Sequence, residues 1–302
     1  MKNIRTLSLI HSIIVCAVCT GAFFYSIAEG AGTYSVNDPS KTLLGVVQTY
    51  KTTDNDTLLD VARLFGIGYN AITEANPAVD PWVPAEGIAI TIPTQWIVPE
   101  LLDDGILINL AEMRLYSFFS SNGHKFVKAY PIGIGREGFN SPEGLFRITG
   151  KIENPAWRPT KRMRDENPDL DPIIPPGEDN PLGDYWLQLS IPSYGIHGTN
   201  KPYSVGRRIS SGCIRLYPED IEELYSYAKV KTTVKIINEP VKATRYNDMV
   251  YIEVHANGFN IEELAAKALK QLSGKDLLKF VDPKLLKSAI DDATGLPTII
   301  SR

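Results

Sequence analysis

The sequence predicts a mainly β protein: a β-sandwich or barrel, preceded by a small strand–helix–helix–strand unit and followed by a helical extension. Three observations predict it. From Gly105 onward, short runs of strand character recur about every ten residues, with turn residues between them. Residues 45–94 carry one compact strand, helix, helix, strand pattern. Beyond Pro240, helix-capping signals dominate. Composition agrees. The 302 residues are 43% hydrophobic and 22% charged, and 23 Gly with 21 Pro favour turns over a helical bundle. That balance excludes a disordered chain, a collagen and a multi-span membrane protein. A net charge of −4 lacks the basic footprint of a nucleic-acid binder.

Residues 1–28 read as a secretory signal. Lys2 and Arg5 form the basic start, Leu7 to Phe24 is mostly apolar, and Ser26-Ile27-Ala28 supplies small residues for cleavage. The rival reading is a retained anchor, because the apolar stretch is near spanning length. A lipid-modified cysteine is excluded, since neither Cys16 nor Cys19 follows a run of small residues. Cleavage leaves no membrane span and lowers the net charge to −6. It also leaves Cys213 as the one cysteine, with His124, His197 and His255. An unpaired thiol in an oxidising compartment is inert core filler, an inter-chain bridge or a reactive group.

Residues 29–44 read as a polar linker. In the 45–94 unit, Val46 to Tyr50 reads as a strand. Asp54-Asn55-Asp56-Thr57 offers caps to a helix carrying Leu58, Val61, Ala62 and Phe65, which Gly66 and Gly68 stop. Asn70 to Ala75 forms a second helix, ended by Asn76-Pro77, and Ile88 to Pro93 closes the unit as a strand. Over 101–239, strands are expected at 106–110 and 114–119 as a hairpin, then at 125–132, 144–150, 185–189 and 232–237. Residues 153–183 are rich in Pro, Asp and Asn without a period, as a lid or binding loop would be. Pro218 to Lys229 is a helix, with Pro in its first turn and Glu219 and Asp220 at its positive end. In the 240–302 extension, Val250 to Val254 alternates like an edge strand. Asn260-Ile261-Glu262-Glu263 is a capping box, and Asp282-Pro283 opens a last helix.

Two motifs are rejected on context. Gly133-x-Gly135-x-x-Gly138 follows a strand, but Pro142 and another strand come next. The helix that a dinucleotide pyrophosphate needs is therefore missing. Ser226-x-x-Lys229 lies inside a predicted helix without a Lys-Thr-Gly partner. One cysteine and scattered histidines suggest no metal cluster, so no metal or cofactor is expected. The chemistry falls on Ile196-His197-Gly198-Thr199-Asn200 and Ser210-Ser211-Gly212-Cys213-Ile214-Arg215. An imidazole that reaches the thiol can deprotonate it, and glycine beside the sulfur permits close substrate approach. Arg215 adds positive charge near the thiolate or binds a substrate carboxylate.

These residues carry a resemblance. His197-Gly198-Thr199 with Ser210-x-Gly212-Cys213-Ile214-Arg215 is similar to the signature of YkuD-type L,D-transpeptidases. The likeness runs over about residues 105–239 and includes Asn154-Pro155-x-Trp157-x-Pro159. Tyr50-Lys51, Asp56-Thr57-Leu58, Asn76-Pro77 and Ile90 to Pro93 resemble a LysM module, which implies a glycan-binding unit, although Asn55 stands where that family usually has Gly. The resemblance implies a YkuD-type β-sandwich or barrel in a periplasmic enzyme that needs no cofactor. Cys213 would attack the diaminopimelate carbonyl of a peptidoglycan tetrapeptide stem and release D-Ala. His197 would be the base, oriented by the Gly198 carbonyl. The N–H groups of Gly212 and Cys213 would form the oxyanion hole, and Ser211, Arg215, Thr199 and Tyr194 would shape the donor site. The acceptor would be another stem or the lysine of an outer-membrane lipoprotein. Two other readings stay open: a hydrolase using the same acyl-enzyme, and a wall-binding protein with an inert thiol.

Overall fold

A computed structural model describes residues 32–302. The signal read over 1–28 and the first residues of the expected linker lie outside the described residues. The rest of that stretch is not a linker. Its strands β1 (Thr33–Ser35) and β2 (Leu43–Gly45) enter two different sheets. β1 pairs with β8 along a sheet edge, and its central residue Tyr34 packs on the core beside Trp96.

The unit that follows has the expected order: β3 (Gln48–Lys51), α1 (Leu58–Leu64), α2 (Tyr69–Ala75) and β4 (Ala89–Ile92). Thr57 caps α1 by accepting the Asp60 N–H, and β3 and β4 pair antiparallel. Leu58, Val61, Ile72, Ile90 and Ile92 form a core of its own. β5 (Gln95–Ile97) pairs with β2.

The large domain contains β6 (Gly105–Asn109), β7 (Arg114–Ser121), β8 (His124–Pro131), β9 (Ile134–Gly135), β10 (Gly144–Glu153), α3 (Lys161–Glu166), β11 (Tyr185–Leu189), β12 (Gly195–His197), β13 (Arg208–Ser210), β14 (Ile214–Arg215), α4 (Pro218–Tyr227) and β15 (Thr233–Ile237). Nine strands form one sheet in the order β1-β8-β7-β6-β15-β10-β11-β12-β14. β15 runs parallel to β6 and β12 parallel to β14; the remaining neighbours are antiparallel. A Gly133–Arg215 bridge brings the chain after β8 against β14, so the sheet curls towards closure. Ile106, Ile108, Tyr130, Leu187, Ile196, Ile214 and Val234 fill the inside with Ile221 and Leu224 of α4. Leu107, Tyr116, Phe118 and Val127 face the other way, onto Leu44 and Trp96. With both faces covered, β6 is apolar along its length instead of alternating. The Gly133 to Gly138 motif runs through β9 into a turn with no helix, and Ser226 lies in α4, as the rejected motifs require.

The extension is not simply helical. β16 (Val241–Tyr246), β17 (Met249–Val254), α5 (Ile261–Gly274), α6 (Pro283–Asp292) and β18 (Thr298–Ile299) form an α+β unit. Val250 to Val254 is not at an edge, because β17 lies between β16 and β18. The inner faces of β16 and β17 pack on Leu264, Ala268 and Leu272 of α5 and on Ala289 and Ile290 of α6. The capping box on Asn260 is present as expected. Among the described residues, no helix is long and apolar enough to cross a membrane.

A buried ionic cluster ties these units together. Lys242 Nζ lies 2.6 Å from Glu112 and 2.7 Å from Glu253. Arg114 pairs with Glu112, and His255 bonds Glu253 and Glu74, each at 2.9 Å. The expectation of no metal-type cluster thus needs correction, since Glu112, Glu253 and His255 converge. Lys242 and Arg114 already neutralise their carboxylates, so the group is an ion network. Net charge is balanced among Glu74, Glu112, Glu253, Arg114, Lys242 and protonated His255.

Candidate active site

Strand pairing assembles the site. In the parallel β12–β14 pair, Ile196 lies opposite Ile214 and His197 opposite Arg215. Alternation then sends the two isoleucines into the core, while His197, Arg215 and the preceding Cys213 share the opposite face. On the other side of β12, Trp186 lies opposite His197 and stacks on it, with ring centroids 5.6 Å apart and planes at 24°. Cys213, His197, Arg215, Ser211, Tyr194 and Trp186 all line a cavity of about 400 Å3. Part of the 153–183 segment forms its far wall, including Trp157, Arg158 and Arg162.

The thiol loop is tightly held. Ser210 Oγ accepts the Gly212 N–H at 3.1 Å and donates to the Cys213 carbonyl at 2.6 Å. Ser141 Oγ donates to the Gly212 carbonyl at 2.9 Å and accepts the Gly135 N–H at 3.0 Å. Gly212 sits at φ +108°, and a Cβ there would lie 2.5 Å from the Tyr194 ring. No other residue fits that backbone and that contact together.

Electrostatics set the protonation states. His197 Nδ1 lies 2.6 Å from the Gly198 carbonyl. A carbonyl only accepts, so Nδ1 carries the proton and neutral His197 keeps a lone pair on Nε2. Burial drives the imidazole down to about 3, with help from Arg215; the Gly198 and Leu182 carbonyls oppose that shift. Burial pushes the Cys213 thiol up, against a backbone hydrogen bond at Gly195 and the charge of Arg215. Its Sγ donates to the Ser193 carbonyl at 3.6 Å, and no hydrogen bond joins it to His197 among the described residues. At rest the cavity therefore holds a neutral thiol and a neutral base. Burial also lowers the Arg215 guanidinium, whose Nε is enclosed without a partner.

The structure gathers most of the residues singled out from sequence, but not all of them. Thr199 is buried, and its Oγ1 accepts the Lys201 N–H at 3.0 Å. With Gly198 it lines a neighbouring cavity rather than that of Cys213. Gly198 still reaches the site, through its carbonyl on His197. The Gly212 N–H is engaged by Ser210, whereas the Cys213 N–H has no partner among the described residues. Sequence reasoning missed Trp186, Ser141, Ser193, Arg158 and Arg162. The strand register of β11 against β12 was the signal that could have found Trp186.

Residues 103–236 match the YkuD family, described as the L,D-transpeptidase catalytic domain. The chain is 36% identical over 277 residues to the Escherichia coli K12 protein named "Probable L,D-transpeptidase YbiS", which spans 89% of this chain and 86% of that one. It is 39% identical over 213 residues to "Probable L,D-transpeptidase YcfS" of the same organism, spanning 67% of this chain and 65% of that one. The solution structure of the Enterococcus faecium L,D-transpeptidase catalytic domain is similar with a TM-score of 0.35 and 23% identity, over 46% of this chain and 100% of that one. The likeness to YbiS runs through nearly the whole chain at more than a third of its positions, and the chain belongs to the YkuD family of L,D-transpeptidases.

Proposed function

We propose that this chain is a peptidoglycan L,D-transpeptidase in which Cys213 is the nucleophile and His197 the base. The observation that carries this is the shared face of β12 and β14, with Nδ1 of His197 fixed on the Gly198 carbonyl and Nε2 left to accept. Sγ leaves the Ser193 carbonyl and turns towards the imidazole. The thiol proton passes to Nε2 as the sulfur attacks the third-residue carbonyl of a tetrapeptide stem. The carbon–nitrogen bond to D-Ala then breaks, and the imidazolium returns its proton to the leaving amine. An acceptor amine attacks the thioester, gives its proton to His197 and releases the thiolate, which is reprotonated. The Cys213 N–H is the donor that remains for the oxyanion; the Gly212 N–H, tied to Ser210, holds the loop instead. Arg215, Ser211 and Tyr194 contact the donor, and Thr199 supports the wall behind His197.

Residues 45–94 serve as a LysM-like glycan-binding module, 101–239 as the catalytic domain and 240–302 as an extension packed on both. The cleavable signal sends the chain to the periplasm. The acceptor is a second stem or the terminal lysine of an outer-membrane lipoprotein. The purified chain lacking residues 1–28 should convert tetrapeptide muropeptides to cross-linked dimers, resolved by mass spectrometry. Tripeptides alone would make it a hydrolase, and no conversion would leave only wall binding. A lipoprotein peptide ending in lysine, added as competitor, should appear in a conjugate if it is an acceptor.

A further inference from the structure

The charges around the Cys213 cavity are one-sided. Arg158, Arg162 and Arg215 line it, and among the described residues no Asp, Glu or Lys does. This contrasts with the chain as a whole, where 35 acidic residues outnumber 31 basic ones. Arg215 follows the thiol on β14 and serves groups near the scissile bond. Arg158 and Arg162 come from the covering 153–183 segment, so they meet a different part of whatever fills the cavity.

The covering segment is itself anchored. Phe139 lies between two guanidiniums, Arg136 at 4.0 Å and Arg162 at 3.6 Å from its ring centroid. Glu166 of α3 bonds Arg136 at 2.9 Å and Arg162 at 3.3 Å, so one carboxylate is shared between two cations. That leaves one positive charge on the Arg136–Arg162 pair, and Arg158 adds a second. Arg158 makes no ion pair or hydrogen bond among the described residues and is exposed at the cavity wall. A guanidinium at a cavity wall without a carboxylate of its own binds one well, because its planar fork presents parallel donors.

We propose that Arg158 and Arg162 are specificity-determining residues that bind carboxylates of the donor stem lying away from the scissile bond. This rests on the transpeptidase reading for the identity of the substrate. A tetrapeptide stem carries a carboxylate on its γ-linked second residue, one on the diaminopimelate side chain and one at the D-Ala terminus. Arg215, two residues past the thiol in the same cavity, takes the carboxylate next to the bond that breaks, and the two covering arginines take the others. The cavity thus reads the donor by its pattern of negative charge.

The test separates binding from turnover. Tetrapeptide binding is measured by calorimetry on the Cys213→Ala chain, with and without Arg158→Gln. It is repeated with a stem whose second-residue carboxylate is converted to the amide, and turnover is measured in parallel on chains that retain Cys213. Arg158→Gln should weaken binding of the free-acid stem about tenfold, as loss of a charge-assisted hydrogen bond does. If Arg158 reads that carboxylate, the amide stem binds the parent as weakly and loses little more in the variant. An equal loss with both stems moves Arg158 to another carboxylate of the donor, and the diaminopimelate monoamide then shows the reduced penalty. Unchanged binding of every stem overturns the proposal, even if the parent turns stems over. Weakened binding without any turnover by the parent keeps it and sinks the transpeptidase reading. Arg162→Gln also loosens the contacts to Phe139 and Glu166, so Arg158→Gln, which removes no protein contact, decides the outcome.

Discussion

Two buried histidines, in two regions of the molecule, have been driven in opposite directions. His197 is 2% exposed and is pushed down to about 3; His255 is 1% exposed and is pushed up to about 9. Burial disfavours the charged form of both. Their neighbours decide the outcome. His197 faces a guanidinium and backbone carbonyls. His255 faces Glu253 and Glu74, with Lys242, Arg114 and Glu112 completing the cluster. The first arrangement keeps a base free of its proton at neutral pH. The second fixes a cation as part of the joint between three units. The same side chain is thus reactive where polar groups go unpaired and structural where every charge has a partner.

The largest effect should come from removing the base. His197→Gln keeps a donor for the Gly198 carbonyl but has no titratable nitrogen. Turnover of tetrapeptide donors should fall about 10²- to 10⁴-fold, the usual worth of a general base, while the melting temperature stays close to that of the parent. Cys213→Ala should abolish any thioester seen by mass spectrometry. A carbapenem adduct on that variant would show that another residue is the nucleophile.

Next comes the joint. Glu253→Gln leaves Lys242 and His255 buried with one carboxylate fewer, and breaking a buried pair from one side costs about 3–5 kcal/mol. Denaturant unfolding should show that loss, while turnover per folded molecule at low temperature is retained. If activity fell and stability did not, the contrast between the two regions would fail. The same cluster predicts a pH window. His255 is raised in the folded chain, so its contribution is complete below about 6.5 and is lost as the pH rises through about 9, on the order of a few kcal/mol in all. Glu253 is depressed by Lys242, His255 and Arg114, so its contribution is present above the usual carboxylate range and disappears as the pH falls below it. Thermal melting followed from pH 6 to 10 should decline through the upper limb, and His255→Gln should flatten that limb.

The two regions also differed in how far they were readable. Thr57 before Leu58 and Asn260 with Glu263 each cap a helix where local chemistry says they should, and Pro218 opens α4 in its first turn without a side-chain cap. His197 and Cys213 stood out because glycines flank both. Trp186 is one residue of the strand read over 185–189, and its role comes only from lying opposite His197 across two strands. The strand Thr33–Ser35 reads as linker because 3 residues are too few to show a period, and Tyr34 alone reaches the core. The ionic joint was invisible. Lys242 and Glu253 read as surface charges on a strand, and burial follows only once Glu112, 130 residues away, folds against them. Local signals report caps and periods; they do not report which distant charge will complete a pair.

The smallest effect concerns the thiol itself, and it tests the resting state directly. A thiolate paired with an imidazolium reacts with alkylating agents well below neutral pH, because the ion pair is already formed. Here His197 is held neutral and Cys213 is pushed up, with Sγ on the Ser193 carbonyl instead of the imidazole. Alkylation of the substrate-free chain by iodoacetamide should therefore be slow at pH 6 and climb about tenfold per pH unit, in step with the thiolate fraction. His197→Gln should leave that profile in place, because the imidazole takes the proton only when a substrate carbonyl draws the sulfur towards it. Both chains should fall on one rising line. A plateau from mildly acid to neutral pH in the parent, absent from the variant, would mean that the ion pair exists before substrate arrives. In that case His197 would be charged at rest like His255, and the difference between the two sites would lie in their partners alone.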